Sequence, residues 1–412
     1  MGFGQGLSGL NAAAQNLDVI GNNIANSGTV GFKAGTASFA DVYASSRVGL
    51  GTQVASINQR FTIGSVSNTG NQFDMAIDGA SGLFRVTDPS GSVLYTRNGQ
   101  FSPDKDGYLV NAQGHRLTGY EEGGTNLVPI RVPTGNIAPA ATGVVTSKVN
   151  VDANAPLAGG ADPSATPPVP AATFDPAVPS TYTHSLPINV YDSLGNSHQM
   201  MQYFAKREGT ATSSTWDVYY RIGGQTVSAP LDGATQMTFD QGGRLTAPTT
   251  PVAVQMTAVP GASPAEALNF TVDYADSTQF GGDFAFSFGQ DGYPTGEYAS
   301  MAIAADGSIV ASYTNGETQT MGSLVLVDFA NVQGLQPVGG NAWVETSTSG
   351  QPILGRPGSN GMARIKGQAV EESNVDMSQE LVNMIIAQRT YQANAQTIKT
   401  QDQIMQTLIS MR

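Results

Sequence analysis

The end of the chain contains the feature that most constrains the fold. Residues 376–412 include no glycine and no proline, although the whole chain has 49 glycines and 22 prolines. The mainly apolar residues of this run recur at intervals of three and four positions, which is the spacing of one face of an α-helix. The face consists of Leu381, Met384, Gln388, Tyr391, Ala395 and Ile398, followed after a small change of phase by Ile404, Leu408 and Met411. The sequence therefore predicts a C-terminal helix, with Ser373 or Asn374 as its N-cap.

The start of the chain repeats this pattern over a shorter length. Between residues 7 and 24 the face consists of Leu7, Leu10, Ala14, Leu17 and Ile24, with Gly21 in the remaining position. Heptad spacing at both ends is typical of helices that pair as a coiled coil. Two separate amphipathic helices packed on the core fit the periodicity equally well.

The middle of the chain, about residues 70–365, has the pattern of β structure. Short alternating or apolar runs lie between turn signals. The predicted strands are residues 92–96, 188–191, 199–205, 216–222, 268–274, 283–288 and 324–328. The turn dipeptides are Asp106-Gly107, Asp232-Gly233, Asp291-Gly292, Asp306-Gly307 and Asn315-Gly316. Such dipeptides favour tight hairpins with positive φ.

Proline-rich segments indicate where the domains begin and end. Residues 155–180 contain seven prolines, and such a segment does not form a packed core by itself. The predicted domains are terminal coiled-coil helices at 1–30 and 366–412, connecting segments at 31–70 and 355–365, a host β domain at 71–145 and 284–354, and an inserted β domain at 146–283 that contains the proline-rich linker 155–180.

Composition excludes several classes of function. Only 19 lysines and arginines are spread along a chain of net charge −13, so no basic stripe is available to bind nucleic acid or an anionic membrane surface. The chain has no cysteine, which excludes disulfides and thiolate chemistry. No apolar run is long enough to insert into a membrane. The first basic residue is Lys33, so we expect no cleaved signal peptide.

Motifs for catalysis are weak or absent. Gly4, Gly6 and Gly9 match the GxGxxG pattern, but a dinucleotide site needs a strand before it and only three residues precede it. The glycines instead predict a flexible N-terminus. His115, His184 and His198 do not have metal-ligand spacing, and no GxSxG or P-loop occurs. We therefore expect no enzymatic activity, no metal and no cofactor.

Four stretches resemble the flagellar rod and hook protein family. Residues 16–33, NLDVIGNNIANSGTVGFK, are similar to its N-terminal signature, and the matching residues are Asn22, Asn23, Ile24, Ala25, Asn26, Thr29, Gly31, Phe32 and Lys33. Residues 74–86, 96–120 and 372–412 resemble further parts of the family, and the last of these is similar to its C-terminal helix. A fifth stretch, YDSLGNSHQM at 191–200, resembles the start of a domain carried by hook proteins. One departure is the run 79–84, which has one residue more than the family's usual Gly-x-Gly-Phe-Phe.

The resemblance implies a fold and an assembly. It implies a mainly β chain whose terminal helices form the coiled-coil inner layer of a tube, with two stacked β domains outside, the outer one inserted in the inner one. The implied partners are copies of the chain itself, rod proteins at the proximal end, a hook-cap protein during assembly, a hook–filament junction protein at the distal end, and the flagellar export apparatus. The implied location is the extracellular flagellar hook, reached by export without signal cleavage.

The implied function is structural. Hook subunits polymerise into a flexible tubular universal joint, which transmits torque from the rod to the filament and has a central export channel. The inserted domain and residues 191–195 favour a hook protein over the alternative, a distal rod protein, because rod proteins of that type lack the insertion. A secreted β-rich enzyme or adhesin is a remote alternative, and it predicts a cluster of catalytic or sugar-binding aromatic residues. The only tryptophans, Trp216 and Trp343, are far apart in the sequence.

Overall fold

The chain divides into two compact units. The computed structural model describes residues 2–42, 49–133, 135–160, 164, 167, 171–230, 233–257 and 265–410. Unit 1 comprises Met1–Thr134, Ala299–Ser312 and Thr318–Arg412, and unit 2 comprises Gly135–Tyr298 and Tyr313–Glu317. Most of unit 2 is therefore formed by the chain between two parts of unit 1.

Two terminal helices pack against each other in unit 1. They are α1 (Gly2–Ala25) and α2 (Met377–Ser410), which confirms the predicted terminal helices and their pairing. The glycines of the GxGxxG pattern lie inside α1, so the prediction of a flexible N-terminus was wrong. Their small size has a packing role, described below. Among the described residues, no helix has both the length and the hydropathy needed to cross a membrane.

Asp376 provides the N-cap of α2. Its carboxylate accepts hydrogen bonds from the backbone N–H groups of Ser378 at 2.9 Å and Gln379 at 3.1 Å. These are among the first N–H groups of the helix, which have no partner within it. Ser373 and Asn374, the predicted caps, lie too far upstream for this role.

Unit 1 contains most of the strands. They are β1 (Gly35–Val42), β2 (Gly51–Gln59), β3 (Val66–Asn68), β4 (Met75–Asp78), β5 (Leu83–Thr87), β6 (Val93–Thr96), β7 (Ser102–Pro103), β8 (Leu109–Val110), β9 (Arg116–Glu121) and β10 (Leu127–Pro129) in its first part. Its later strands include β21 (Tyr298–Ile303), β22 (Ser308–Tyr313), β23 (Thr318–Leu324), β24 (Leu326–Asp328), β25 (Gln336–Gly339), β26 (Ala342–Val344) and β27 (Ile353–Gly355). The main sheet has the strand order β21-β22-β23-β9-β5-β6-β26-β25, and β7, β8, β10, β24 and β27 pair with strands of this sheet. One of its cores contains Leu83, Tyr95, Val327, Phe329 and Trp343.

Unit 1 also contains three short two-stranded sheets, two of which join the chain ends. Strands β1 and β2 form an antiparallel hairpin that lies against α1, in a region where the sequence predicted only a connecting segment. Strands β28 (Arg364–Gly367) and β29 (Ala369–Glu371) pair with β4 and β3 respectively. The C-terminal part of the chain thus returns to the segment that follows α1.

Unit 2 is a β sandwich. Its strands are β11 (Val144–Asn150), β12 (His184–Tyr191), β13 (Ser197–Arg207), β14 (Ser213–Ile222), β15 (Gln225–Thr226), β16 (Ala234–Asp240), β17 (Leu245–Ala247), β18 (Val252–Met256), β19 (Leu268–Asp273) and β20 (Ala285–Gln290). One sheet has the order β18-β19-β11-β20 and the other β12-β13-β14-β16-β17, with β15 beside β14. Both sheets bury side chains in one core around Trp216. Strand β11 begins before the predicted start of the insertion at 146, and β20 lies entirely after its predicted end at 283.

The predicted turns mostly have the expected backbone. Gly107, Gly307 and Gly316 adopt positive φ, as their dipeptides predict. Gly292 differs, since its φ is not positive. A Cβ there would lie 2.4 Å from Oγ1 of Thr142, so close approach of the backbone explains the glycine. Asp232 lies outside the described residues.

Candidate assembly surface and its junction

The two helices run antiparallel and approach closely where α1 has glycine. A Cβ added at Gly6 would lie 3.1 Å from Cγ1 of Ile398, and one at Gly9 would lie 2.8 Å from Oδ1 of Asn394. At the other end of α1, Nδ2 of Asn23 lies 3.4 Å from Oε1 of Glu380. Residues early in α1 therefore lie beside residues late in α2, and small side chains set the distance between the helices.

The buried seam of α1 lies beside the predicted face and not on it. Gly6, Ala13 and Ile20 are buried at heptad spacing. The predicted face is rotated by about one residue: Leu7 is exposed, and the half-buried members are Leu10, Ala14, Leu17 and Ile24. The predicted face is thus only partly available to a further partner, and its role in assembly stays a prediction.

The predicted face of α2 is also only partly covered. Met384, Ala395 and Ile398 are half-buried, whereas Leu381, Gln388, Tyr391 and Ile404 are exposed. The side chain of Leu408 and all of Met411 lie outside the described part of the chain. Buried seam positions of α2 are instead Glu380 and Ala387. The three-four spacing correctly predicted a helix, but it did not show which side of α2 packs against α1.

Large apolar side chains on α2 remain exposed in the single chain. Because α1 begins at Gly2 and Gly6 lies beside Ile398, the last two turns of α2 extend beyond the start of α1. Ile404, Met405 and Ile409 in these turns are 52%, 57% and 71% exposed. A second exposed group near the start of α2 consists of Val382, Ile385 and Ile386. These two groups form the candidate assembly surface.

The signature residues after α1 fix the chain path at the end of the helix. Asn23 is buried, donates to the carbonyl of Gly35 at 2.8 Å and accepts from the N–H of Gly35 at 2.8 Å. Asn26 donates to Asn22, and its Oδ1 accepts from Thr29. Ile24 is half-buried, Ala25 is exposed and Phe32 is half-buried.

Gly31 is needed for both its conformation and its size. Its φ is +73°, and a Cβ there would lie 2.6 Å from the backbone nitrogen of Asn98. Only glycine fits such a site without moving the backbone. Four of the signature residues, Asn22, Asn23, Asn26 and Gly31, thus act on local backbone geometry, which the sequence alone did not show.

A buried charge cluster joins the two ends of the chain. Nζ of Lys33 donates to a carboxylate oxygen of Glu371 and, at 2.8 Å, to the carbonyl of Thr62. Nη1 of Arg97 donates to the other carboxylate oxygen at 3.0 Å and to the carbonyl of Gly79. The side chains are 0%, 2% and 0% exposed for Lys33, Arg97 and Glu371. Burial lowers the pKa of Lys33, and the attraction of Glu371 opposes this effect.

Asn374 adds a second connection between the chain ends. Its Oδ1 accepts from the N–H of Ala34 at 2.8 Å, and its Nδ2 donates to the carbonyls of Arg60 and Thr62. The sequence pattern indicated no role for Arg97 or Glu371, and its prediction that Asn374 caps α2 was wrong. Arg97 and Asn374 lie in stretches that resemble the family, and Glu371 directly precedes one, so those stretches were the available signal. The junction of the helix pair with the β structure is therefore built from polar groups of both termini.

Four family profiles match successive parts of the chain. They are "Flagella basal body rod protein" over residues 5–33, "Flagellar hook protein FlgE/F/G D1 domain" over 76–154, "Flagellar basal body protein FlaE D2 domain" over 150–293, and "Flagellar basal body rod FlgEFG protein C-terminal" over 366–411. Together they cover nearly all of both helices and part of each unit, and they leave residues 34–75 and 294–365 unmatched.

Curated relatives match over their whole length. The flagellar hook proteins FlgE of Salmonella typhimurium and of Escherichia coli K12 are each 43% identical over 100% of this chain and 100% of the relative. That of Borreliella burgdorferi is 31% identical over 99% of this chain and 98% of its own. The crystal structure of Helicobacter pylori flagellar hook protein FlgE2 shares the fold, with a TM-score of 0.54 and 17% identity over 74% of this chain and 100% of that one.

These matches extend over the terminal helices, the junction and both β units, and the family they describe is a structural one and not an enzyme family. The chain therefore belongs to the flagellar hook protein family.

Proposed function

We propose that this chain polymerises into the tube of the extracellular flagellar hook, which acts as a flexible universal joint, transmits torque from the rod to the filament and has a central export channel. The observation that carries the proposal is the exposed apolar surface of α2, in a chain that matches hook proteins over their whole length. In water, such surface on paired helices favours further association.

In this proposal the helix segments 1–30 and 366–412 form the inner layer of the tube. The faces of Leu7, Leu17 and Ile404 bind neighbouring copies there, together with the rest of the predicted face. The β domains at 71–145 with 284–354 and at 146–283 form the outer layers. The buried Lys33–Arg97–Glu371 cluster supports torque transmission, because it fixes both chain ends to the β structure without depending on solvent or salt.

The remaining partners follow from the place of a hook in the flagellum. We propose rod proteins at the proximal end, a hook-cap protein during growth, a hook–filament junction protein at the distal end, and the flagellar export apparatus, which passes the chain without signal cleavage. The weak charge of the chain, 12% charged residues, limits repulsion between neighbouring copies.

A double variant that introduces two negative charges tests the proposal. Replacing both Ile404 and Ile409 by Asp places two carboxylates on the part of α2 that extends beyond α1. Because both side chains are exposed there, the change should have little effect on the stability of the single chain. Burial of either carboxylate in the tube costs several kcal/mol (roughly 3–5 kcal/mol). We expect a soluble chain with the wild-type melting temperature and no tubes in electron micrographs.

Lys399→Gln is the control, because Lys399 is an exposed polar residue of the same helix that belongs to neither exposed apolar group. It should leave tube formation intact. Normal tubes from the double variant would contradict the assembly role of this surface. Straight, rigid tubes from the wild-type chain would instead favour a distal rod protein.

A further inference from the structure

Three asparagine–glycine pairs occur in the chain, and the structure holds them differently. They are Asn98-Gly99, Asn315-Gly316 and Asn360-Gly361. Asparagine is a thermolabile residue, because its side-chain amide can react with the backbone nitrogen of the next residue. Glycine in that next position has no Cβ to obstruct the approach. Each pair is therefore able to deamidate, unless the fold holds the two reacting groups apart.

The amide of Asn315 is held by two hydrogen bonds. Its Nδ2 donates to the carbonyl of Pro294 at 2.8 Å, and its Oδ1 accepts from the N–H of Glu317 at 3.0 Å. The side chain also packs closely on the backbone, since a Cβ added at Gly296 would lie 2.6 Å from Cγ of Asn315. The amide carbon cannot turn towards Gly316 until these contacts break.

The backbone of the pair Asn98-Gly99 is fixed by close packing. Gly99 is buried, and a Cβ added there would overlap the carbonyl oxygen of Met75. The carbonyl of Gly99 accepts from the N–H of Met75 at 3.0 Å, and Oδ1 of Asn98 accepts from the N–H of Gln100 at 2.9 Å. The nitrogen of Gly99 therefore has little freedom to move towards the amide.

The third pair, Asn360-Gly361, is exposed and has no such restraint. Its φ angles of +50° and +80° are those of a type I′ turn, which is closed by the N–H of Met362 donating to the carbonyl of Ser359 at 2.9 Å. Both residues of the pair are exposed. Among the described residues, neither the side chain of Asn360 nor the N–H of Gly361 has a hydrogen-bond partner. Both reacting groups are thus free in water.

We propose that Asn360 is a self-modification site, which converts spontaneously to aspartate and isoaspartate in the folded chain. The nitrogen of Gly361 loses its proton and attacks Cγ of Asn360. The bond from Cγ to Nδ2 breaks, Nδ2 leaves with that proton as ammonia, and a succinimide ring closes. Water then opens the ring at either of its two carbonyls. The net reaction consumes water and releases ammonia, and it needs no oxidant, reductant or enzyme.

The conversion changes the charge and the backbone of the turn between β27 and β28. The new carboxylate stands between Arg356 and Arg364 in the sequence, and both of these side chains are exposed. Isoaspartate also lengthens the backbone by one CH₂ group, which a type I′ turn does not accommodate. The buried Met362, which packs closely on Gly355, directly follows the turn. The product therefore loosens this part of unit 1, whether or not the chain has polymerised.

Ageing of the wild-type chain tests the site directly. The full-length protein is kept in neutral buffer, and mass spectrometry follows the peptides that contain each pair. We expect Asn360 to deamidate about tenfold faster or more than Asn98 and Asn315, because hydrogen bonds and packing must first break at those two sites. In urea the three rates should agree within about threefold, since unfolding removes the restraints. Similar rates at the three sites of the folded chain would overturn the inference, and so would the same preference for Asn360 in urea.

A pair of variants identifies the source of the isoaspartate. Asn360→Gln keeps an amide at the position but moves it one CH₂ group further from the nitrogen of Gly361. Asn126→Gln is the control, because it removes an exposed asparagine that leucine follows. Labelling of aged protein by an isoaspartate methyltransferase should fall by about fivefold or more in Asn360→Gln and stay within about twofold of wild type in the control, since reaction depends on the position of the amide. Undiminished labelling of Asn360→Gln would contradict the proposed site.

Discussion

Two positive charges and one negative charge share a buried site near the end of β4, where Arg97 also donates to the carbonyl of Gly79. Lys33 and Arg97 both donate to Glu371, and the backbone N–H of Gly64 donates to the same carboxylate at 2.9 Å. Burial lowers the pKa of Lys33 and of Arg97, while Glu371 opposes the shift in each. A buried cation is tolerated only while a counter-charge is present, so the carboxylate is the residue on which the site depends.

Replacement of this carboxylate should therefore be severe. Glu371→Gln leaves two buried cations without a counter-charge, and we expect unit 1 to lose about 3–5 kcal/mol of its free energy of unfolding. Urea unfolding followed by Trp343 fluorescence in a Trp216→Phe background measures this loss. Glu122→Gln is the control, because that side chain is exposed and should leave the transition midpoint unchanged. Equal midpoints for the two variants would show that the cluster adds nothing to stability.

Asp192 organises the turn between β12 and β13, in the stretch that resembles hook proteins. Burial raises the pKa of this carboxyl, but a contact with His198 Nε2 at 2.9 Å, hydrogen bonds from the side chain and backbone of Asn196, and a bond from the N–H of Leu194 together outweigh burial and lower it to about 2. Gly195 completes the turn with a φ of +83°.

The lowered pKa predicts a pH dependence of unit 2. Since the folded-state pKa lies below the ordinary value of 3.8, the ionised Asp192 stabilises the unit above about pH 4, and this contribution is lost as the pH falls towards 2. Asp192→Asn should lower the free energy of unfolding at pH 6 by about 1–2 kcal/mol and flatten the acid dependence in that window. Melting followed by Trp216 fluorescence in a Trp343→Phe background tests this. Asp283→Asn, at an exposed position, should keep the wild-type pH profile.

At the scale of the elements, the small size of glycine determines how closely α1 and α2 approach each other. A Cβ at Gly6 would already press on Ile398, whereas one at Gly4 would meet no atom within 4 Å. Both glycines lie in α1, where replacing glycine by leucine gains helix propensity by a similar amount. The two positions thus differ chiefly in whether there is room beside α2.

Matched leucine variants separate packing from propensity. Gly6→Leu should force the helices apart and destabilise their pairing by about 1–3 kcal/mol, while Gly4→Leu should keep or improve it. Hydrogen–deuterium exchange of peptides from α1 and α2 measures the difference. Faster exchange in both helices for Gly6→Leu alone is the expected result, and slower exchange for both variants would exclude close approach at Gly6.

Periodicity predicted the elements well because it depends on neighbours along the chain. Both helices and the strands around Trp216 follow from repeats of 3.6 and 2 residues. The β1–β2 hairpin was missed, since it lies on α1 with few buried side chains and its pattern is weak. The side of α1 that faces α2 was also misplaced, because Gly6 and Ala13 carry little hydrophobic signal. Glu371 and Arg97 meet only through long-range contacts, which no local pattern shows.

At the scale of the whole molecule, unit 2 begins and ends at one place. Its first strand β11 pairs directly with its last strand β20, Val145 lies opposite Gln290, and bridges join Ile137 to Gly296 and Ala140 to Tyr293. Paired residues on neighbouring strands have Cα atoms about 5 Å apart. The chain therefore leaves unit 1 and returns to it through two adjacent segments, which is the arrangement of an inserted domain that can be removed.

Removal of the insertion tests this organisation. Joining Ile137 to Gly296 through a two-residue Asn-Gly turn closes the same pair of segments as a hairpin and deletes the sandwich. Unit 1 should keep its fold, because its core around Trp343 and the Lys33–Arg97–Glu371 cluster contain no residue from the deleted part. Trp343, then the only tryptophan, should show the unfolding midpoint of unit 1 in the full chain. The shortened chain should still form tubes through α1 and α2, but with abnormal bending or coiling in electron micrographs, since the proposed outer domain is missing. Global unfolding would show that the two units fold only together, and normally curved hooks would show that the sandwich has no part in the shape of the tube.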